Sequence, residues 1–160
     1  VGPGDAEFAE LRDAFLALYE SRLARLTRVF ADVVPLLAAL EGDGLRWGIV
    51  TNKATRYTAP LVGALGLDLR AAAVVCGDTT PHAKPHPAPL LEAARRIGVP
   101  PQHCVYVGDD LRDVQAGRAA GMRTVAAGWG YLGDGEAIDA WGADHVIGCP
   151  DELLGLLSLR

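Results

Sequence analysis

The stretch that decides the fold is Cys104–Asp113, which reads Cys-Val-Tyr-Val-Gly-Asp-Asp-Leu-Arg-Asp. Its first four residues are apolar and predict a buried strand, and a helix is predicted to begin at Leu111. The junction carries three aspartates, and ligands of open α/β sheets bind at such carboxyl ends of strands. Crowded carboxylates repel one another unless a cation or hydrogen bonds neutralise them, so a divalent cation, Mg²⁺ first, is the leading hypothesis. A simple helix N-cap is the alternative.

The same strand-then-helix pattern extends in both directions from this junction. Apolar runs separated by helices of 10–15 residues indicate right-handed crossovers and a parallel sheet. The runs are continuously apolar, as expected of strands covered on both faces. The predicted class is therefore α/β, a Rossmann-like parallel sheet flanked by helices. Strands are predicted at 45–50, 72–76, 104–107, 124–127 and 145–147, and helices at 5–30, 33–40, 55–65, 87–97, 111–120, 136–141 and 151–159.

Composition narrows the possible partners and compartments. The chain has 160 residues, half of them hydrophobic, a net charge of −5 and three cysteines. An acidic balance argues against nucleic acid and membrane surfaces, which favour basic faces. No apolar run approaches the ~20 residues that span a bilayer, and residues 1–10 lack the basic start and apolar middle of a signal peptide. The widely spaced cysteines suggest a reducing compartment, so a cytoplasmic location is predicted.

Two further strand ends carry polar residues. Thr51 follows the strand at 45–50, and its hydroxyl with the backbone N–H groups of Asn52 and Lys53 would form an anion-binding concavity. Lys84 lies in a proline-rich loop that holds it rigidly, which suits a phosphate oxygen. The alternatives are an ordinary turn after a strand and a solvated lysine. At one sheet edge with the aspartates, these residues would be suited to phosphate chemistry.

The three motifs resemble those of a known family. Val-Thr-Asn-Lys at 50–53, Lys-Pro-His-Pro at 84–87 and Gly-Asp-Asp-x-x-Asp at 108–113 look like the second, third and fourth motifs of the haloacid dehalogenase-like phosphatases. The likeness covers roughly residues 30–157. Within the family the chain is most similar to the phosphoglycolate phosphatase group and, in particular, to its N-acetylmuramic acid 6-phosphate phosphatase branch. The stretches that carry this finer likeness are 47–53, 76–79 and 128–131.

The resemblance implies a function and residue roles. It implies a Mg²⁺-dependent phosphatase that hydrolyses small phosphomonoesters, phosphoglycolate or a sugar phosphate, through an aspartyl-phosphate. Thr51 would bind the phosphoryl group with help from Asn52, and Lys84 would stabilise charge on the nucleophile and the phosphate. Asp109 would bind Mg²⁺ directly and Asp113 would orient or contact its water shell, whereas Asp110 is given no firm role.

The chain departs from the family at the first motif, an Asp-x-Asp whose first aspartate is the nucleophile. No Asp-x-Asp occurs in the 160 residues. We therefore expect a truncated form, inactive in isolation, that lacks the first strand at the centre of the sheet. Residues 1–30 are interpreted as the remnant of a helical cap and residues 31–160 as the core. A non-catalytic pseudo-phosphatase that binds phosphate or a phosphosugar is the alternative.

Two other classes fit poorly, and one property stays open. A phospho-receiver domain places its acidic residues before its Thr and Lys, whereas here Thr51 and Lys84 precede the aspartates. A dinucleotide-binding domain needs a G-x-G-x-x-G after an early strand, and none follows one here. The sequence leaves the oligomeric state undecided.

Overall fold

The computed structural model describes residues 5–158, and these form six α-helices, five short strands and two 3-10 turns. The elements alternate along most of the chain as the apolar pattern predicts. In chain order they are α1 (Ala6–Arg22), α2 (Val33–Gly42), β1 (Gly48–Val50), α3 (Thr55–Ala64), β2 (Ala73–Val75), α4 (Ala88–Ile97), a 3-10 turn (Pro101–His103), β3 (Val105–Gly108), α5 (Leu111–Ala119), β4 (Arg123–Ala127), a 3-10 turn (Ile138–Ala140), β5 (His145–Ile147) and α6 (Glu152–Leu156).

Every strand pairing in the described residues is parallel. β1 pairs with β2, and β3, β4 and β5 form a second sheet in that order. Adjacent residues in the middle of β4 point to opposite faces, and both are buried: Val125 is 1% exposed and Ala126 is not exposed. Val125 packs with residues of α2, β5 and α6, whereas Ala126 packs with α5 and Trp141. The predicted class, a parallel sheet flanked by helices, is confirmed.

A gap separates the two sheets between β1 and β3. The N–H of Thr51 donates to the Val75 carbonyl at 2.9 Å, so the carbonyl of the same peptide group, that of Val50, points away from β2. No ladder joins β1 to β3 within residues 5–158. Instead, the Val50 carbonyl accepts hydrogen bonds from Lys84 Nζ at 3.1 Å and from the Tyr106 hydroxyl at 3.4 Å. Two side chains thus satisfy a backbone group that would otherwise bond to a neighbouring strand.

The first predicted helix is too long. The prediction placed one helix over 5–30, but α1 ends at Arg22. Beyond it Leu26 is 84% exposed, and the Thr27 hydroxyl donates to the Leu23 carbonyl at 2.8 Å. Burial does not mark this boundary: Leu23, just after α1, is 8% exposed, whereas Phe15 within α1 is 65% exposed. An apolar period therefore indicates a helix without fixing the residue at which it ends.

Smaller differences affect the C-terminal third. The helix predicted at 136–141 is a single 3-10 turn, Ile138–Ala140, and α6 is shorter than the predicted helix at 151–159, of which residue 159 lies outside the described residues. Residues 1–4 also lie outside the described residues. They belong to the N-terminal segment 1–10, which lacks the features of a signal peptide. The division into a cap remnant and a core stays a prediction. Among the described residues, no helix combines the length and apolarity that a bilayer crossing requires.

Candidate functional site

A cavity of about 210 Å³ opens at the carboxyl ends of β1 and β3. The structure brings all five predicted site residues to this cavity, although they come from three separate segments of the chain. Their individual roles stay predictions. The cavity is lined by Thr51, Asn52, Lys53, Lys84, Asp109, Asp110, Arg112 and Asp113.

Asn52 joins the first loop to the second. Its Nδ2 donates to the Lys84 carbonyl at 2.9 Å, and the Lys84 N–H donates to Asn52 Oδ1, also at 2.9 Å. Beside it, Thr51 Oγ1 accepts the N–H of Lys53 at 3.1 Å, which leaves the threonine hydroxyl proton to donate elsewhere. The Asn52 amide therefore positions Lys84, a task that the sequence pattern did not reveal.

Three hydrogen-bond acceptors hold the ammonium group of Lys84, in addition to the rigidity that the neighbouring prolines give its loop. Its Nζ donates to Asp113 Oδ1 at 2.6 Å, to the Tyr106 hydroxyl at 2.9 Å and to the Val50 carbonyl at 3.1 Å. The side chains of Lys84 and Asp113 are only 11% and 8% exposed. An ammonium group has three protons, so all of them are engaged. The result is a positive charge at a fixed place beside the cavity.

Tyr106 is a site residue that the sequence analysis missed. Its hydroxyl contacts Lys84 Nζ and lies 3.3 Å from Asp113 Oδ1. Burial and the nearby carboxylate of Asp113 raise the pKa of the Tyr106 phenol, which keeps it neutral and able to donate. A signal was present: a tyrosine inside an apolar strand needs a partner for its hydroxyl, and Asp113 in the first turn of α5 lies within reach.

The three aspartates of the cluster have different partners. Asp113 pairs with Lys84, and Asp110 accepts the Arg112 N–H at 2.8 Å and pairs with the Arg112 guanidinium at 2.5 Å. Asp109 accepts the backbone N–H of Tyr131 at 2.8 Å and forms no ion pair within residues 5–158. Two of the carboxylates are thus compensated by cations of the chain itself, and Asp109 is the carboxylate left to meet an external cation.

Glycines allow two of these carboxylates to lie against backbone. A Cβ at Gly130 would overlap the Asp109 carboxylate, and a Cβ at Gly108 would overlap the Asp113 side chain. The loop around Gly130 and Tyr131 therefore supports Asp109 from behind. The stretch 128–131 carries part of the family resemblance, but the sequence does not predict its contact with Asp109.

The donor set limits how a metal could bind. Within residues 5–158, no group of three or more His, Cys, Asp and Glu side chains is arranged to hold a metal ion. Such a cage is not what Mg²⁺ requires, because this ion usually keeps several waters and is bound through one or two carboxylates and substrate phosphate oxygens. A single available carboxylate, Asp109, facing a cavity beside a fixed cation fits that mode of binding.

Asp110 caps α5, and its removal should reduce stability at neutral pH. Hydrogen bonds from Arg112 lower the pKa of Asp110 to about 2, despite some opposing burial. Since this is below the ordinary value of about 3.9, the contribution is complete above pH ~4 and is lost as the pH falls through 2. Urea unfolding of Asp110→Ala should show a loss of about 1 kcal/mol at pH 7 that shrinks toward pH 2. Exposed Asp134→Ala is the control, and a loss independent of pH would contradict the assignment.

Comparison with known proteins finds relatives over most of the chain. The family model that describes haloacid dehalogenase-like hydrolases matches residues 3–121. The chain is 40% identical over 152 residues to an N-acetylmuramic acid 6-phosphate phosphatase of Pseudomonas aeruginosa, which covers 95% of the chain and 67% of the relative. It is 48% identical over 140 residues to a phosphoglycolate phosphatase of Xanthomonas campestris, covering 87% and 63%. The chain thus spans about two thirds or less of these relatives.

Solved structures match the fold over nearly the whole chain. A predicted phosphoglycolate phosphatase from Haemophilus somnus superposes with a TM-score of 0.88 at 28% identity, covering 97% of this chain and 68% of that protein. CbbY from Rhodobacter sphaeroides, crystallised with phosphate, superposes with a TM-score of 0.81 at 23% identity, covering 99% and 72%. The second match concerns the fold alone.

Proposed function

The chain belongs to the haloacid dehalogenase-like hydrolases, and on that premise we propose that it forms the phosphate- and Mg²⁺-binding part of a phosphatase for small phosphomonoesters. The observation that carries the proposal is the convergence of Thr51, Lys84 and Asp109 on one cavity at the carboxyl edge. Relatives named for phosphoglycolate and for N-acetylmuramic acid 6-phosphate support substrates of that kind. The three free thiols support the predicted cytoplasmic location.

Each residue then has a physical task. The Thr51 hydroxyl and the turn that follows it donate hydrogen bonds to phosphoryl oxygens. Lys84 supplies positive charge at a fixed position, which stabilises negative charge that develops during transfer without any reorganisation. Asp109 holds Mg²⁺, and the ion neutralises phosphate charge when it is bound. Asp113 keeps Lys84 in place, and its predicted contact with the metal's water shell is retained as part of the proposal.

The gap between β1 and β3 is where a further strand would fit. The peptide groups on the facing edges of these strands are not joined by a ladder within the described residues. A strand inserted there would offer the Val50 carbonyl an N–H partner. The Lys84 N–H that now donates to the Val50 carbonyl would then be free to donate toward the cavity. A carboxylate at the end of that strand would meet both Lys84 and the phosphate, as the family's first motif implies.

Asp109→Asn tests the metal assignment. The substitution keeps the shape of the side chain and removes its charge, so we expect Mg²⁺ affinity to fall by about 100-fold or more. Inorganic phosphate should then no longer bind more tightly when Mg²⁺ is added. NMR titrations of the backbone amides with Mg²⁺, with and without phosphate, measure both effects.

The control for this experiment is Asp139→Asn, which removes an exposed carboxylate in the 3-10 turn after β4. It should leave Mg²⁺ and phosphate binding unchanged. If Asp109→Asn binds Mg²⁺ as tightly as the parent chain, Asp109 is not the ligand. If the parent chain binds neither Mg²⁺ nor phosphate, the proposed function itself is wrong.

A further inference from the structure

The stretch 76–79, Cys-Gly-Asp-Thr, directly follows β2 and carries part of the family resemblance, yet none of its four residues lines the cavity at the ends of β1 and β3. Its backbone closes on itself as a turn, because the Thr79 N–H donates to the Cys76 carbonyl at 3.0 Å. The Cys76 N–H also donates to Thr79 Oγ1 at 2.9 Å. These hydrogen bonds give the stretch a fixed shape, so it can support a neighbouring segment.

The segment that it supports is the turn at 51–54, whose donors are assigned to phosphate oxygens. The Thr51 N–H donates to the Val75 carbonyl at 2.9 Å, just before the stretch begins. The Gly77 N–H donates to the Lys53 carbonyl, also at 2.9 Å. Backbone hydrogen bonds between the two segments thus extend past the ends of β1 and β2. They hold the turn from behind at its first and third residues.

Gly77 lies so close to Asn52 that a larger residue does not fit. A Cβ at Gly77 would overlap the Asn52 carbonyl, a backbone group that cannot move unless the turn moves with it. The Asn52 side chain exchanges two hydrogen bonds with the Lys84 backbone, each at 2.9 Å. The contact at Gly77 is therefore connected, through a single residue, to both the turn and the fixed cation of the site.

Asp78 holds the far end of the turn. Its Oδ1 accepts the Thr55 N–H at 2.9 Å and the Thr55 hydroxyl at 2.6 Å, and these hydrogen bonds lower the pKa of the Asp78 carboxyl. Thr55 is the first residue of α3, and the preceding Ala54 has no side chain that could cap the helix. The cap that α3 lacks locally is thus supplied by Asp78, from the stretch after β2.

We propose that Gly77 and Asp78 are positioning residues that set the affinity of the turn at 51–54 for phosphate. This inference rests on the proposed phosphatase function and identifies residues behind the phosphate site that keep its donors in place. Gly77 holds the middle of the turn, and Asp78 holds the end that leads into α3. Donors that are already ordered bind an oxyanion without the cost of being ordered by it.

Gly77→Ala should weaken the binding of inorganic phosphate by about tenfold or more. The added Cβ displaces the Asn52 carbonyl, and a turn displaced in this way loses at least one hydrogen bond to the anion, which corresponds to about tenfold in affinity. The matched control is Gly63→Ala in α3, since an added Cβ there meets only Asp68 Oδ2, at 3.8 Å. It should keep the parent affinity. NMR titration of the backbone amides with phosphate, with and without Mg²⁺, measures both.

Asn52 supplies a signature that a general loss of stability would not produce. It is the single asparagine of the chain, so its side-chain amide gives one identifiable pair of NMR signals. These signals should shift in folded Gly77→Ala, because the hydrogen bonds between Asn52 and Lys84 are distorted. They should stay in place in Gly63→Ala. Unmoved Asn52 signals together with parent phosphate affinity in Gly77→Ala would overturn the role of Gly77.

Two substitutions of Asp78 distinguish its hydrogen bonds from its charge. Asp78→Ala removes both bonds to Thr55, so phosphate affinity should fall by about threefold. Asp78→Asn removes the charge and keeps an oxygen that can accept both bonds, so its affinity should stay within about twofold of the parent value. This pair also decides the matter if Gly77→Ala fails to fold. Equal affinities of Asp78→Ala and Asp78→Asn would overturn the role of Asp78.

The parent chain separates the inference from its premise. Phosphate binding by the parent that survives unchanged in Gly77→Ala and Asp78→Ala overturns the positioning role and leaves the proposed function standing. Absence of phosphate binding by the parent chain, with and without Mg²⁺, overturns the inference together with the proposed function.

Discussion

The isolated 160-residue chain should not hydrolyse an aryl phosphate, whereas the same chain extended by an apolar strand that ends in Asp-x-Asp should do so with Mg²⁺. The 160 residues contain no Asp-x-Asp. Phosphoryl transfer to an aspartate needs that carboxylate in line with the leaving oxygen and in contact with phosphorus. Asp109 cannot serve as this nucleophile while its carboxylate binds the metal. Removing a nucleophile from an otherwise intact site typically costs about 10⁶-fold in kcat, so the contrast should be large.

Hydrolysis of p-nitrophenyl phosphate measures this contrast with Mg²⁺ present and after chelation. The matched control is the extended chain with the first aspartate of its added motif changed to asparagine, which should return to the level of the isolated chain. Turnover by the isolated chain that persists in Asp109→Asn and in Lys84→Ala would refute both the assigned roles and the need for an added nucleophile.

The same experiment separates the phosphatase from the pseudo-phosphatase. The lack of an Asp-x-Asp in the 160 residues is the observation that favours a non-catalytic role. An extended chain that folds, binds phosphate with Mg²⁺ and still shows no turnover would support a phosphate-binding module. Mg²⁺-dependent turnover would exclude that alternative.

Lys84→Met should be the most destabilising single substitution in the site. It leaves the Asp113 carboxylate, 8% exposed, without its cation. Breaking a buried ion pair by removing one partner costs about 3–5 kcal/mol. Total stability of a domain is only about 5–15 kcal/mol, so the loss should be evident in the free energy of unfolding measured with urea. Phosphate binding should weaken as well, because the fixed charge beside the cavity is gone.

A double-mutant cycle gives this prediction its control. Lys84→Met combined with Asp113→Asn removes both charges, so the double variant should be more stable than Lys84→Met alone. Lys53→Met is the matched single control, since Lys53 is the other lysine of the chain and its partner, the Tyr19 hydroxyl, is neutral. Equal losses in Lys84→Met and Lys53→Met would show that the Lys84–Asp113 pair contributes nothing particular to stability.

The elements were predictable where apolar residues meet a surface that buries them. β3, β4 and α5 form near the expected positions because the apolar runs at 104–107 and 124–127 pack against helices, the first half-buried and the second buried. The α1 prediction extended too far because periodicity does not show where a helix ends. Phe15 within α1 is 65% exposed, whereas Leu23 just beyond it is buried, so burial does not mark the boundary either.

The sequence predicts which residues belong to the site, but it does not predict the hydrogen bonds among them. Thr51, Lys84 and Asp109 follow strands of one parallel fold, and that rule alone leads one to expect them at the same edge. Nothing in their spacing indicates that Asn52 would clamp the Lys84 backbone, or that Tyr106 would reach both Lys84 and Asp113. Hydrogen-bond partners depend on distances of a few tenths of an ångström, which a residue pattern does not contain.

The order of strands, helices and polar strand ends along the chain is a local property, and it was enough to indicate an α/β fold and the candidate site residues. The partners of two of the three aspartates are not local. Asp110 caps α5 through Arg112, two residues away, whereas Asp113 faces Lys84 and Asp109 accepts the Tyr131 N–H because the fold brings those residues close. Electrostatic partners are chosen by proximity in space, so identical side chains within five positions acquire different chemistry only once the chain has folded.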